Sequence, residues 1–226
     1  CPEGRHRIRA WAAAISRMKS MSDKPAEMSS PQLHIVGIGA SAGGLKAAEA
    51  FLQNCPADTG MAFVLVFHLS PRHKSMAAEL LQRHTDMPVA QVAGQVRLAP
   101  DHVYVIPPDH GLSLVDHDLI LTDRVHEDGR PTVIDHFFRA LALHVGERAI
   151  GVVLSGTGSE GSQGLKAIKE AGGLTLVQAE DDAEYAGMPR SAVATGLVDF
   201  VLPVAQMPAK ILEIRDFVVD FALPDG

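Results

Sequence analysis

From Leu33 onward the chain alternates short, almost wholly apolar runs with segments whose apolar residues recur at helical spacing. His34–Ile38 leads into Leu45, Ala48, Phe51 and Leu52, one stripe of a 3.6-residue helix, and the run Phe63–Phe67 follows. That order predicts a βαβ unit. The pattern returns with Val103–Ile106 and with Ile134, Phe137, Phe138, Leu141 and Val145 on one helical face. It continues through Ile150–Leu154, a helix carrying Leu165 and Ile168, Leu174–Val177, Phe200–Leu202 and a final helix around Ile211–Val218. Strands that are apolar throughout are buried on both faces, so the pattern predicts an α/β fold: a mostly parallel, doubly wound sheet flanked by helices. Leu112–Thr122 differs, because two alternating segments meet at Asp116-His117-Asp118. This reads as a β-hairpin that gives the sheet an antiparallel part.

The first 32 residues do not share this pattern and are expected to form a disordered tail and linker, followed by one domain over 33–219 and a short tail at 220–226. Ile8, Trp11, Ile15 and Met18 fall at helical spacing among arginines, so a partner or membrane contact is the other reading of the tail. The chain begins with Cys1, and Met18, Met21 and Met28 are alternative starts. Residues 1–19 carry five basic residues against one acid, so the remainder is more acidic than the net charge of −7 and is expected to repel nucleic acid and anionic lipid. No apolar run has the roughly 18 residues needed to span a bilayer. Two cysteines, Cys1 and Cys55, give no disulfide framework and no metal spacing, which fits a cytoplasmic protein without a metal.

In a sheet of this kind reacting groups gather where strands end and helices begin. Ser41 stands there, in Gly37-Ile38-Gly39-Ala40-Ser41-Ala42-Gly43-Gly44, a GxSxG turn that projects a hydroxyl from tight backbone and places the Ala42 N–H to hold an oxyanion. His68 follows the run Ala62–Phe67 and occupies the place of a general base. The loop Ser155-Gly156-Thr157-Gly158-Ser159-Glu160-Gly161 follows the next strand and ends in a carboxylate. Serine, histidine and acid thus occur in that order. Against this, a glycine-rich strand-to-helix turn is also how a dinucleotide is held, although that site expects an acid where His68 stands. Glu160 alone reads more readily as a solvated loop acid at a helix start, where the dipole favours carboxylates. Thr132 and Asp135 are spaced as a capping pair for the helix at 134–145, and Glu180 to Glu184 as a solvated surface run. Met188-Pro189-Arg190 begins a short helix ending at Gly196, with Arg190 either binding an acidic group or forming a surface salt bridge.

Together these segments resemble the catalytic domain of the CheB family, the protein-glutamate methylesterases of bacterial chemotaxis. The likeness spans roughly residues 33–215. It rests on Gly39 to Gly44, His68 before Pro71, Arg130-Pro131 followed by Asp135, Gly151–Gly161 and Gly187-Met188-Pro189-Arg190. The resemblance implies Ser41 as nucleophile, His68 as general base, Glu160 as orienting acid, the N–H groups of Ala42 and Thr157 as oxyanion donors, and Met188 and Arg190 as substrate-binding residues. It implies no cofactor. It also implies a substrate: methylated glutamates on the cytoplasmic helical domains of chemoreceptors, hydrolysed to glutamate and methanol, with glutamine deamidation as a second activity. Two departures stand out. Glu160 occupies the place of the family's usual aspartate, which makes a weakened receptor-binding module the alternative to an active enzyme. About 32 residues before Leu33 are too few for the N-terminal receiver that family members commonly carry, so either regulation differs or the chain is a piece of a larger protein, such as a fusion to the opposing methyltransferase.

Overall fold

The computed structural model describes residues 33–67, 76–123, 126–127 and 130–222. Seven strands form one sheet: β1 (His34–Ala40), β2 (Met61–Phe67), β3 (Val89–Gln91), β5 (His102–Val105), β10 (Ala149–Val153), β11 (Leu174–Gln178) and β12 (Phe200–Leu202). Their order is β12-β11-β10-β1-β2-β5-β3, and every neighbouring pair is parallel. β1 and β2 run in register from His34↔Met61 to Ala40↔Phe67, which aligns their carboxyl ends. All seven residues of β2 are buried, the expected state of a parallel strand covered on both faces.

The hairpin is present but forms no part of this sheet. β6 (His110–Val115) and β7 (Asp118–Asp123) pair antiparallel from His110↔Asp123 to Val115↔Asp118, and β4 (Val96–Arg97) joins β7 to make a separate three-stranded sheet. Asp116 takes the left-handed conformation (φ 55°) that a two-residue turn demands. A further pair, β8 (His126–Glu127) with β9 (Arg130–Pro131), is antiparallel as well.

Helices cover both faces of the main sheet. Helix α3 (Val133–Val145) lies on the face carrying Gly37 and Gly39, where its side chains fill the space of the missing ones. A Cβ on Gly39 would stand 2.4 Å from Ile134 Cγ2, and one on Gly37 would stand 3.0 Å from Leu141 Cδ2. The glycines therefore bring α3 close to the sheet beside the end of β1. Helix α4 (Ser162–Glu170) sits over Gly151 of β10 in the same way, through Leu165 and Ile168. Helix α1 (Gly44–Gln53) covers the opposite face: its Phe51 packs edge-on against Phe63, which pairs with Val36 and so points away from Gly37. Short helices α2 (Ala77–Gln82) and α5 (Gly187–Val193) and the final α6 (Met207–Ala222) complete the layers. Ile134, Phe137, Phe138, Leu141 and Val145 are all buried, as their spacing predicts. Phe137 and Phe138 each remove enough apolar surface to contribute about 2–3 kcal/mol.

Candidate active site

Ser41 is the first residue after β1, and the chain turns at once into α1. Gly43 makes this turn with φ 70°, and its N-cap position carries no side chain to compete for the helix N–H groups. The Gly44 N–H donates to the Ser41 carbonyl at 2.9 Å, closing the turn. Ser41 itself is half-buried, so its side chain is packed yet reachable.

The loop after β10 holds this turn from the side. The Ser41 N–H donates to the Ser155 carbonyl at 3.0 Å, and the Ser155 hydroxyl donates to the Ala42 carbonyl at 2.8 Å. That hydroxyl also accepts from the Tyr185 N–H at 3.0 Å, while the Ser155 N–H donates to Gln178 Oε1 at 2.8 Å. Gln178 Nε2 donates in turn to Asp182 Oδ2 at 2.8 Å, and Asp182 accepts the Val204 N–H at 2.8 Å. Asp182 is exposed, as its place in an acidic run predicts, and its carboxylate also ties this frame together. Ser155 and Gln178, both buried, have no motif of their own. The signal available in the sequence was only that each is a polar residue at the end of an apolar strand. Replacing Ser155 with alanine removes the tie to Ala42 and leaves the Tyr185 N–H without its acceptor, so denaturant unfolding should show a loss of about 1–3 kcal/mol.

The loop continues past Gly156 to Thr157, which is exposed beside the turn. Gly156 donates its N–H to the Tyr185 carbonyl at 2.9 Å and accepts from the Met188 N–H at 2.8 Å. A Cβ at Gly156 would lie 2.1 Å from Met188 Sδ and 3.0 Å from Ser41 Cβ, so these three residues are in contact around one point. The Met188 side chain is fully buried there and supports the loop from below. Arg190 is exposed and forms a two-pronged pair with Glu180, Nη2 to Oε2 at 3.0 Å and Nε to both oxygens at 3.3 Å. That hydrogen bond lowers the Glu180 pKa and raises that of Arg190, a surface pairing that solvent screens. Of the two readings of Arg190, the surface salt bridge is the one present.

Glu160 closes the loop just before α4. Its Oε1 accepts the Ile134 N–H at 2.6 Å, at the start of α3. Ile134 also packs against Gly39 in β1, so Glu160 stands at the carboxyl edge of the sheet where Ser41 emerges. The capping pair expected within α3 is absent. The Thr132 hydroxyl makes no hydrogen bond among the described residues, and Asp135, itself buried, accepts from the Gly164 N–H of α4 at 2.6 Å. His68, Pro71, the side chains of Arg130-Pro131, the tail at 1–32 and residues 223–226 lie outside the described residues. The structure therefore brings Ser41, Ala42, Thr157, Met188 and Glu160 to one end of the sheet, with Arg190 on the adjoining surface.

Cys55 is partly buried, which pushes its thiol up to about 12, with Asp101 adding to the effect. It stays protonated at neutral pH and supplies no nucleophile. Among the described residues no three His, Cys, Asp or Glu side chains are grouped to hold a metal ion, and no helix is long and apolar enough to cross a membrane.

This geometry can be set beside known proteins. The family model for CheB methylesterase matches residues 36–211. The chain belongs to the CheB methylesterase family. A protein-glutamate methylesterase/protein-glutamine glutaminase of Yersinia pestis biovar Antiqua is 34% identical over 215 residues, 91% of this chain and 61% of that protein. The protein of the same description from Photorhabdus laumondii is 34% identical over 182 residues, 79% of this chain and 52% of that one. The chain thus spans between half and two thirds of the length of these relatives. The crystal structure of the Thermotoga maritima CheB methylesterase catalytic domain superposes with a TM-score of 0.75 at 27% identity, covering 81% of this chain and all of that one. The family's catalytic-domain fold accounts for the parallel sheet with a small antiparallel sheet beside it.

Proposed function

We propose that residues 33–219 form a protein-glutamate methylesterase unit that hydrolyses γ-methyl esters of glutamate on the helical cytoplasmic domains of chemoreceptors. The single observation that carries this reading is the mooring of the Ser41 turn to the loop after β10, through Ser41 N–H to Ser155 O and Ser155 Oγ to Ala42 O. The reading is supported by a half-buried serine in this turn and by the backbone N–H groups of Ala42 and Thr157, which donate to no acceptor among the described residues. Such donors suit an oxyanion that develops only in the transition state.

In this mechanism the Ser41 hydroxyl attacks the γ-carbonyl carbon as His68 takes its proton, and the N–H groups of Ala42 and Thr157 hold the oxyanion. The carbon–methoxy bond then breaks, and methanol leaves with the proton returned by His68. Water attacks the acyl-enzyme as His68 takes its proton, and the ester bond to Ser41 then breaks with that proton returned by His68 to Ser41 Oγ, releasing glutamate and restoring the enzyme. Glu160 holds the histidine in the reactive tautomer. A glutamine substrate follows the same route with ammonia as leaving group, in line with the second activity named for the relatives. Met188 shapes the substrate-facing loop from beneath, and Arg190 with Glu180 lines the adjoining surface that a receptor helix would meet. The substrate domains place the protein in the cytoplasm, with a methyltransferase of opposing activity as partner or fused neighbour.

The reading is tested by incubating the chain with receptor fragments that carry methylated glutamates and measuring methanol. Release in step with new glutamate at the methylated positions is expected. Binding to the fragment without release would favour the recognition module that has lost turnover.

A further inference from the structure

The N-termini of α3 and α4 meet over the ends of β1 and β10, and neither has a side-chain cap of its own. Each helix is capped by the other's carboxylate. Glu160, which precedes α4, accepts the Ile134 N–H of α3, and Asp135 of α3 accepts the Gly164 N–H of α4, both at 2.6 Å. Carboxylates at these positions satisfy orphan N–H groups and oppose the positive ends of two helix dipoles.

Two bonds of opposite direction between the same short segments fix both the distance and the tilt of one helix start against the other. The surroundings leave no slack. A Cβ at Gly164 would fall 2.4 Å from Phe138 Cβ and 3.1 Å from Asp135 Cα, so the helices touch there. Gly161 turns into α4 at φ 89°, and a Cβ there would stand 3.0 Å from Val153 Cγ2 and 3.3 Å from Ile134 Cγ2. Asp135 is only 6% exposed, far from the state of a solvated acid.

We propose that Asp135 is a positioning residue that fixes Glu160 in the site, and that the extra methylene of glutamate is what lets this carboxylate brace α3 while serving the serine. This rests on the reading of Glu160 as the orienting acid. An aspartate at 160 would be shorter by about 1.5 Å and could not keep the 2.6 Å bond to Ile134 without dragging the loop. The glutamate is therefore the fitted residue of this chain, and aspartate does not restore a lapsed site.

The test uses the full chain and two readouts: kcat and KM for methanol release, and hydrogen exchange of the Ile134 amide. Asp135→Ala is expected to lower kcat about tenfold or more with KM within about twofold, and to speed exchange at Ile134, a residue it does not itself contact through a side-chain bond. Asp135→Asn keeps an Oδ1 acceptor and is expected to recover most of both. Glu160→Asp is expected to lose both activity and Ile134 protection, whereas Glu160→Gln keeps the protection and loses turnover. Unchanged kcat or unchanged Ile134 protection in Asp135→Ala, or a Glu160→Asp variant as active as the unmodified chain, would overturn the proposal. If the unmodified chain releases no methanol, the functional reading fails, and the exchange arms alone decide: faster exchange at Ile134 in Asp135→Ala supports the brace, and unaltered exchange refutes it.

Discussion

Ser41→Ala is expected to reduce methanol release from a methylated receptor by on the order of 10⁴- to 10⁶-fold, as removal of a triad nucleophile does elsewhere. Ser41 stands at the end of β1 with its N–H bound to Ser155 and its carbonyl bound to Gly44, and alanine keeps both backbone bonds. Only the hydroxyl is lost, from a half-buried position, so the unfolding midpoint should move by no more than the equivalent of about 1 kcal/mol. Receptor binding should persist, because the backbone of the turn and the surrounding surface are unaltered. A large loss of rate at intact stability is the pattern that separates a nucleophile from a packing residue. Residual release at a tenth of the original rate would mean that another group performs the attack.

The second large effect falls on a residue with no side chain. Gly156→Ala would place a methyl group 2.1 Å from Met188 Sδ and 3.0 Å from Ser41 Cβ. Met188 is fully buried beneath the loop, so it cannot swing into solvent, and the Gly156 backbone is held on both sides by Tyr185 and Met188. The strain is relieved only by moving the loop or the serine turn. Shifts of about 1 Å in a catalytic group cost on the order of a hundredfold in rate, and overpacking of this kind costs about 1–3 kcal/mol in stability. The expected result is a folded protein with a lower melting temperature and at least about a hundredfold slower methanol release. Coupling to Met188 gives a control: Gly156→Ala combined with Met188→Ala opens space for the methyl and should recover part of the loss.

Much of the architecture was legible because parallel strands leave a strong trace. The run at 63–67 is apolar at every position, and the strand there is buried at every position. The helical stripe from Ile134 to Val145 is buried as its spacing requires. The hairpin at Asp116 was readable from its alternation, but alternation says nothing of which strand its edge will meet. It pairs with β4, two residues whose role as a strand exists only through that pairing. α2 and β3 are similarly short, too short for any period to show. The Ser41 turn was visible because its glycines are needed for local geometry, Gly43 with φ 70° among them.

The buttressing of the site was not legible, for a different reason. Thr132 and Asp135 have the spacing of a capping pair, and within α3 that was the simpler inference. The donor that Asp135 serves lies 29 residues away and the acceptor of the Ile134 N–H lies 26 away, a proximity that only the packing of α3 on α4 creates. Asp182 lies at the surface as its acidic neighbours suggest, but nothing in its spacing shows that it also accepts from Gln178 and Val204. Arg190 admits two readings from its spacing, and it forms the salt bridge with Glu180, ten residues away in sequence. Local spacing identifies residues able to do chemistry, whereas the bonds that hold them in register are set by the tertiary fold.

The most direct test of the covalent mechanism is methanol release run in the presence of hydroxylamine. An acyl-enzyme on Ser41 partitions between water and the added nucleophile, so glutamyl hydroxamate should form at the methylated receptor positions together with methanol, and neither product should exceed the uncatalysed background with Ser41→Ala. Methanol released with no hydroxamate above background, and equally by the Ser41→Ala variant, would contradict the account.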